Sequence, residues 1–376
     1  MKKVLISGGL GFIGLHLAKV FKDNGFPVVL MDNLSEQIHG VLPSLNNPIL
    51  QERGVDCVRG DVRRRNDWRA ALEGVAIVVH LAAETGTAQS MYEIGRYTEI
   101  NVDGTAVLLD ILANEKHSVE KILLASSRSV YGEGSYDCSK CGRVYPHERG
   151  GKTLRVGQWE PACPWCGDSV LAVPTSEEAK LNPASIYAVT KLAQENLVRV
   201  AGIALGIATV ILRFQNVYGE WQSLKNPYTG ILSIFSNKLN QKKPISLYED
   251  GRQTRDFVHV TDVVRAVYLA ATLSGGDGKT LNVGSGVPSS VADIAWQLKR
   301  CFGISSSTEV SGEYRLGDIR HCYADLTAIR TGLGFEPQVD LASGIERFVD
   351  WVRTQPHEPD RLQQATSALV SRGLMG

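Results

Sequence analysis

Three side chains with complementary acid–base chemistry, Ser127, Tyr187 and Lys191, form the candidate catalytic set of this sequence. Ser127 follows a short apolar run, and Tyr187 and Lys191 stand four residues apart in a segment with helical periodicity. The pattern predicts a helix with Asn182 as its N-cap and Pro183 at its first position. Because residues four apart share a helix face, the Lys191 ammonium can lie near the Tyr187 phenol and lower its pKa from about 10. Such a phenolate can take a proton from a substrate hydroxyl.

A second Tyr-x-x-x-Lys sequence, from Tyr136 to Lys140, shows that the spacing alone is weak evidence. With 12 tyrosines in 376 residues, a chance match is expected about half of the time. Tyr136 lies in a glycine- and cysteine-rich loop without helical pattern, so its side chain need not share a face with Lys140. The helical context and the upstream serine favour the Tyr187 pair.

A glycine-rich turn at the start of the chain predicts a dinucleotide site. The apolar strand 4–6 leads into Gly8, Gly11 and Gly14, and a helix from Phe12 to Asn24 follows. This arrangement brings a pyrophosphate close to the backbone and to the free N–H groups of a helix N-terminus. Asp32 ends the next strand, 18 residues after Gly14. A carboxylate there accepts hydrogen bonds from the ribose of NAD and repels the 2′-phosphate of NADP, so we expect NAD.

Apolar strands alternate with helical segments through the first half of the chain. Strands at 55–59, 76–81, 122–127 and 208–213 predict an α/β fold with a Rossmann-type, doubly wound parallel sheet. We expect an NAD-binding domain over 1–213 and a smaller α/β substrate domain over 214–376, with 255–272 returning to the Rossmann sheet. His80, at a strand end, is expected to be structural.

Composition excludes several classes of partner. Lysine plus arginine equals aspartate plus glutamate, 40 each, so no net field attracts nucleic acid or an anionic membrane. No apolar run is long enough to span a bilayer. The glycines after Ile6 interrupt the only stretch that resembles a signal peptide, so we expect a cytoplasmic protein.

Four of the seven cysteines form two Cys-x-x-Cys-Gly pairs, Cys138 with Cys141 and Cys163 with Cys166, separated by 21 residues. The spacing is typical of a zinc ribbon, and we expect these four thiolates to bind one structural Zn²⁺. Two disulfides or four idle thiols are the alternatives, and the absence of a secretion signal disfavours the disulfides. The predicted ribbon is an insertion over 134–170 within the Rossmann domain.

The ordered motifs resemble the extended short-chain dehydrogenase/reductases, and among them the nucleotide-sugar epimerases. The likeness rests on the glycine turn, His80-Leu81-Ala82-Ala83, Asn101-Val102-x-Gly104-Thr105, Ser127, the Tyr187/Lys191 pair and Asn216-Val217-Tyr218-Gly219. Within this group the segments 80–86, 89–94 and 126–134 and the cysteine insertion are most similar to dTDP-L-rhamnose 4-epimerase-like proteins. The resemblance implies bound NAD, a nucleotide-sugar substrate, a homodimer and a 4-epimerase reaction.

The resemblance also implies two sets of ligand contacts. For the cofactor these are Gly8, Gly11, Phe12, Ile13, Gly14, Asp32, Asn33, Asp61, Val62, Leu81, Ala82, Ala83, Asn101, Tyr187 and Lys191. For the substrate they are Glu84, Thr85, Ser127, Arg128, Asn216, Tyr248, Arg255, Arg315 and Asp318. Sugar 4,6-dehydratases have Asp-Glu after the serine, whereas this sequence has Arg128-Ser129, so elimination lacks its acid and base. Two alternatives remain: another sugar-modifying reaction on the same scaffold (2-epimerase, decarboxylase or keto-sugar reductase), and a non-enzymatic NAD sensor.

Overall fold

The computed structural model describes residues 2–40, 48–51, 54–224, 226, 228, 230–305, 307–356 and 362–376. The strands are β1 Lys3–Ser7, β2 Val28–Asp32, β3 Val55–Arg59, β4 Val75–His80, β5 Lys121–Ser127, β6 Tyr136–Cys138, β7 Gly142–Val144, β8 Leu171–Ala172, β9 Ala208–Phe214, β10 Asn216–Tyr218, β11 Ile245–Leu247, β12 Thr254–His259, β13 Thr280–Val283, β14 Pro288–Ser290, β15 Thr308–Val310 and β16 His321–Cys322.

The helices are α1 Phe12–Asp23, α2 Glu36–His39, α3 Arg65–Ala71, α4 Thr87–Ser90, α5 Ile94–Tyr97, α6 Gly104–Asn114, α7 Gly151–Arg155, α8 Ile186–Leu205, α9 Ile231–Asn240, α10 Val260–Thr272, α11 Val291–Phe302, α12 Thr327–Leu333, α13 Leu341–Arg353 and α14 Leu362–Val370. Short 3₁₀ turns cover Pro48–Gln51 and Arg128–Tyr131, and a π-helical turn covers Thr98–Asp103. Within the described part of the chain, no helix is both long and apolar enough to cross a bilayer.

The central sheet has seven parallel strands in the order β3-β2-β1-β4-β5-β9-β13. The order reverses between β1 and β4, as in a doubly wound dinucleotide-binding sheet. Its apolar strands are covered on both faces, by α1 and α10 on one side and by α3, α6 and α8 on the other. The predicted Rossmann-type fold is therefore confirmed, and its ligand crevice lies at the carboxyl end of β1, β4 and β5.

The segment 255–272 returns to the central sheet differently from the prediction. Its strand β12 pairs with β10, β14 and β16 in a separate four-stranded sheet, while α10 packs against α1. The seventh strand of the Rossmann sheet is β13, beside β9. The polar side chains of β12 hold it in the smaller lobe, because the buried Arg255 donates to Arg320 O at 3.0 Å and the buried Asp256 accepts from Ser285 N at 2.7 Å. A third core, between α9, α11 and α13, supports this smaller lobe.

The helix that carries Tyr187 begins at Ile186, so the predicted start at Asn182 and Pro183 is wrong. The N-cap is Ser185, whose side chain accepts a hydrogen bond from Ala188 N. Asn182 N instead donates to Val130 O at 3.0 Å, which ties this segment to the 3₁₀ turn after Ser127. The long-range hydrogen bond outweighs the local capping preference of asparagine.

Candidate active site

A cavity of about 890 Å³ opens at the carboxyl end of the central sheet. Its lining includes every predicted catalytic and substrate residue: Ser127, Tyr187, Lys191, Glu84, Thr85, Arg128, Asn216, Tyr248, Arg255, Arg315 and Asp318. The cavity therefore joins the glycine turn of one lobe to the arginines of the other, and its volume suits a dinucleotide beside a second ligand.

Ser127 and Tyr187 meet because two elements end at the same place. Ser127 is the last residue of β5, and its hydroxyl accepts from Ser129 N at 3.2 Å, which turns the chain into the 3₁₀ segment. Tyr187 lies in the first turn of α8, where Tyr187 N donates to Ser90 Oγ at 3.0 Å. The half-buried Tyr187 side chain and Ser127 line the same cavity, where the phenol interacts with the Ser127 side chain. The pair has the geometry to act together on one oxygen atom of a bound molecule.

The electrostatics of Tyr187 differ from the prediction. Burial raises the pKa of Tyr187, and the hydrogen bond with Ser127 and the charge of Arg128 act in the opposite direction. Arg128 is thus a cation that favours the phenolate of Tyr187. Sequence reasoning did not assign this role to Arg128, because Arg128 lies in the 3₁₀ turn after β5 and not in the helix that carries Tyr187.

Lys191 is held by a buried polar network beneath the cavity. Its Nζ donates to Ala125 O at 2.8 Å and to Gln194 Oε1 at 2.9 Å. Gln194 in turn donates to Thr105 Oγ1 at 2.7 Å, and Thr105 lies 3.0 Å from His80 Nε2. Burial lowers the pKa of Lys191 to about 7. The amine thus has a fixed position and a protonation equilibrium near neutrality.

His80 occupies a structural position, as predicted. It is buried between Ser7 Oγ, 2.6 Å from Nδ1, and the Thr105 hydroxyl. Burial lowers the pKa of His80 to about 3, so the imidazole is neutral at physiological pH. A neutral ring with both nitrogen atoms hydrogen-bonded joins β1 and β4 at the point where the strand order reverses.

The glycine turn fits a pyrophosphate. Gly8 has a φ of +68°, and a Cβ there would lie 2.9 Å from Ala82 N. A Cβ on Gly14 would lie 2.6 Å from Gly8 O and Gly9 O, so the turn and α1 pack too closely for a side chain. No side chain of the described residues caps the N-terminus of α1. Its N–H groups and positive dipole end therefore face the cavity and suit an anion.

Asp32 ends β2 at the rim of the cavity, as the motif predicts. One carboxylate oxygen accepts from Leu10 N at 3.1 Å and the other from Leu34 N at 2.9 Å. His39 Nε2 lies 3.5 Å from the same carboxylate, a neighbour that the sequence motif did not indicate. Asn33 and Val62 lie at the same end of the cavity.

Two predicted cofactor contacts, Asp61 and Asn101, do not line the described cavity. Arg63 donates to Asp61 at 3.0 and 2.8 Å, and this pairing lowers the pKa of the Asp61 carboxyl. Asn101 accepts from Glu84 N at 2.8 Å and donates to Glu84 O and to the Thr190 hydroxyl. Asn101 therefore fixes the loop after β4 against α8 from behind, which is a positioning arrangement rather than ligand contact.

The far end of the cavity is cationic. Arg255 is buried, and burial together with the charge of Arg128 lowers the pKa of Arg255 to about 10. Arg315 packs over the Tyr248 ring at 4.7 Å and donates to its hydroxyl at 3.2 Å. Arg128 Nε donates to Asn216 Oδ1 at 2.8 Å. Three guanidinium groups around one space are what a diphosphate requires.

Sequence reasoning missed several polar residues that line the cavity. They are Ser35, His39, Thr87, Gln222, Ser223, Tyr228, Lys238, Gln253, Glu313, Thr366 and Ser367. Thr366 and Ser367 come from α14, more than 40 residues beyond the last recognised motif. The hydroxyl of Tyr228 lies 2.6 Å from that of Tyr92, which closes the cavity beside the loop after β4. These residues carry no motif, because only the folded chain brings them to the site.

The four cysteines of the two Cys-x-x-Cys pairs converge. Their sulfur atoms all lie within 4.8 Å of one another, and the sulfurs of Cys138 and Cys166 are 3.6 Å apart. A tetrahedral Zn²⁺ with Zn–S bonds of about 2.3 Å separates its sulfurs by roughly 3.8 Å, so the donor set fits this ion. The strands β7-β6-β8 form a small antiparallel sheet around the cluster.

Comparison with known proteins decides the family. The sequence profile of the NAD dependent epimerase/dehydratase family matches residues 4–149 and 163–284. The chain belongs to this family. The matched parts leave out residues 150–162, which lie between the two cysteine pairs. The predicted resemblance to nucleotide-sugar epimerases is confirmed at this level.

Relatives and solved structures within the family have related activities. The dTDP-L-rhamnose 4-epimerase of Burkholderia thailandensis is 38% identical over 353 residues, covering 93% of this chain and 95% of the relative. The UDP-glucose 4-epimerase of Thermotoga maritima, solved with UDP-glucose, has a TM-score of 0.76 at 26% identity over 93% of this chain and 98% of its own. The UDP-glucuronic acid 4-epimerase of Bacillus cereus, with UDP-glucuronic acid and NAD, has a TM-score of 0.75 at 26% identity, covering 93% and 99%.

Proposed function

We propose that this family member is an NAD-dependent 4-epimerase, which inverts C4 of a nucleotide-linked sugar through a transient 4-keto sugar. The observation that carries the proposal is the position of Ser127 and Tyr187 midway along one cavity, between the glycine turn and the cluster of arginines. A dinucleotide on the turn and a diphosphate on the arginines would bring the nicotinamide and the sugar together at these two hydroxyls.

In this mechanism Tyr187 takes the proton of the C4 hydroxyl and Ser127 hydrogen-bonds the same oxygen. When bound, NAD would supply the hydride chemistry at C4, both the oxidation to the 4-keto sugar and its reduction from the other face. Arg128 favours the phenolate form of Tyr187, and Lys191 would bind the nicotinamide ribose from its fixed position. Arg128-Ser129 replaces the acid and base that elimination of water requires, which supports epimerisation over dehydration.

For the substrate we propose a dTDP-linked 6-deoxy sugar, supported by the 38% identical relative. A nucleotide-linked hexuronate is the second candidate. It is favoured by Arg128 Nη1, a buried donor beside Ser127 with no hydrogen-bond partner among the described residues. A sugar carboxylate would satisfy that donor with a charged pair.

We also propose which part of the chain binds which ligand, and that the chain forms a homodimer. Residues 1–213 would bind NAD, and 214–376 would bind the nucleotide, with Tyr248 against the base and Arg255 and Arg315 on the diphosphate. A homodimer through α6 and α8 is supported by their apolar outer face, on which Val200 is 57% exposed. Light scattering of the purified protein tests the assembly, since Val200→Glu should yield monomers.

We propose that the cysteine cluster is a structural Zn²⁺ site without a catalytic role. Four thiolates complete a tetrahedral shell and leave no open position for substrate. Elemental analysis of freshly purified protein should give one zinc per chain.

The function is tested with the purified protein and a panel of dTDP- and UDP-linked hexoses, 6-deoxyhexoses and hexuronates. We expect denaturation to release NAD, and one member of the panel to yield its C4 epimer without added cofactor. Protein that releases NAD but epimerises none of the panel would favour another reaction on the same scaffold. Protein that releases no dinucleotide would contradict the proposal.

A further inference from the structure

A buried ion-pair network joins the cysteine-bearing segment to the smaller lobe. Its first centre is Arg149, whose side chain is 4% exposed. The guanidinium donates to Glu133 Oε1 at 3.0 Å, pairs with Glu249 Oε1 at 2.9 Å, and donates to Trp159 O at 3.1 Å and Asp318 O at 2.9 Å. Four acceptors from four separate stretches of chain therefore meet one side chain.

The second centre of the network is Arg320, which is fully buried. It pairs with Glu249 and Asp250 at 2.8 and 2.7 Å and with Glu160 at 2.6 Å. The backbone N–H of Arg320 donates to Glu133 Oε2 at 2.7 Å. Glu133 and Glu249 thus each contact both arginines, and Glu160 reaches Arg320 from between the two cysteine pairs.

Each branch of this network ends beside a residue that lines the cavity. Glu249 follows Tyr248 directly and has a φ of +53°, a conformation that a non-glycine residue adopts only when its surroundings hold it. Arg149 donates to the Asp318 carbonyl, and Asp318 N in turn donates to Arg315 O at 3.3 Å, which closes the turn between Arg315 and Asp318. The Arg320 carbonyl accepts from Arg255 Nη1 at 3.0 Å.

We propose that Arg149 is a positioning residue, through which the cysteine-bearing segment holds the nucleotide-binding residues Tyr248, Arg255 and Arg315 in their places. The inference rests on the proposed function, since it names how the nucleotide end of that site is assembled. Hydrogen bonds between buried charges are directional and strong at low dielectric, so displacement of one partner moves the others. The NAD end of the cavity makes no contact with Arg149 among the described residues, so its occupancy should be independent of this network.

The network also links the cysteine cluster to a site that the cluster does not enter. Arg149, Trp159 and Glu160 all lie between Cys141 and Cys163, in a segment with little apolar surface of its own. The cluster closes this segment at both ends, and the ion pairs attach it to the smaller lobe. Loss of the cluster should therefore have the same kinetic signature as loss of Arg149.

The test compares Arg149→Lys with Arg143→Lys, a matched control on an exposed ion pair of the same segment. Lysine keeps the charge but cannot serve four acceptors as the guanidinium fork does. For Arg149→Lys we expect KM for the nucleotide sugar and Kd for the free nucleoside diphosphate to rise about tenfold or more, with kcat within about threefold and NAD content unchanged. Arg143→Lys should match the wild type in all four quantities.

If Arg149→Lys does not fold, Glu160→Gln takes its place, because the Glu160 side chain is 60% exposed and tolerates substitution. Its expected signature is the same, with a rise in KM of about threefold. If the wild-type protein is active and the Arg149→Lys and Glu160→Gln variants keep its KM for the nucleotide sugar and its Kd for the nucleoside diphosphate, the positioning role of Arg149 is overturned. The proposed function is then unaffected. A wild-type protein that binds neither dTDP nor UDP in calorimetry overturns both.

Discussion

Replacement of Tyr187 by phenylalanine removes one oxygen atom from the centre of the site. The ring keeps its place at the start of α8, where Ser185 caps the helix and Ser90 accepts from the Tyr187 backbone. The lost interaction is that of the phenol with the Ser127 side chain, and a hydrogen bond of this kind contributes at most about 0.5–1.5 kcal/mol of stability. A domain of this kind is stable by about 5–15 kcal/mol, so we expect Tyr187→Phe to fold.

The effect on turnover should be far larger than the effect on stability. Transfer of a proton by a positioned general base contributes a factor of about 10² to 10⁴, or roughly 2.7–5.4 kcal/mol of activation free energy. Ser127 and Arg128 favour the phenolate of Tyr187 against the effect of burial, and a phenylalanine ring has no oxygen that could take the proton. We expect kcat to fall by about 10³-fold or more, with NAD content and substrate affinity retained.

The assay is initial-rate epimerisation of the substrate found in the panel, together with the NAD content of each preparation. Tyr136→Phe is the matched control, since Tyr136 is buried and lies in the cysteine-bearing segment, its hydroxyl 3.4 Å from His321 O. That variant should keep nearly all activity. A Tyr187→Phe enzyme with turnover within a few-fold of wild type would refute the assignment of the base.

Three further predictions follow from the same geometry. Asp32→Ala should reduce NAD retention and narrow the preference for NAD over NADP, as measured by cofactor release and titration. The control Asp23→Ala, at an exposed position, should retain NAD as the wild type does. Wild-type protein purified with bound NADP would contradict this prediction. Arg128→Gln removes the charge that lowers the pKa of Tyr187, so the rise of kcat with pH should move to higher pH, whereas Arg143→Gln should leave the profile in place. Cys163→Ser should lose zinc by elemental analysis, raise KM and keep NAD, whereas Cys57→Ser, outside the cluster, should do none of these; an unchanged zinc content would show that the cluster is not the metal site.

The parts of the site that the sequence predicted are those built by local rules. A glycine turn between a strand and a helix has one physical solution, so Gly8, Gly14 and Asp32 lie where their spacing placed them. Alternating apolar strands and helices determined the parallel sheet, and with it the position of Ser127. Likewise, the spacing of the two Cys-x-x-Cys pairs was enough to predict that their four sulfurs lie together.

Two errors arise where a long-range contact competes with a local preference. Asn182 is a good N-cap by type, yet its backbone is held by Val130, and Ser185 caps the helix instead. Lys191 has the correct spacing from Tyr187, but Ala125 and Gln194 hold its amine beneath the cavity.

Other features had no sequence signal. Arg149 meets Asp318 across 169 positions of the chain, and no motif indicates that contact. Asn101 belongs to a recognised motif, but the structure directs its side chain to Glu84 and Thr190 rather than into the cavity. Burial and pairing of such polar groups are properties of the folded chain alone.

The central claim, inversion of C4 by hydride transfer within one bound complex, is tested most directly by an isotope experiment. The purified protein, without added cofactor, is incubated with its nucleotide sugar carrying deuterium at C4, and the product is analysed by NMR. The account predicts a C4 epimer that keeps the deuterium at C4, because the same bound NAD takes and returns it. A C4 epimer that has lost its label to solvent, or deuterium that appears at another carbon, would contradict it.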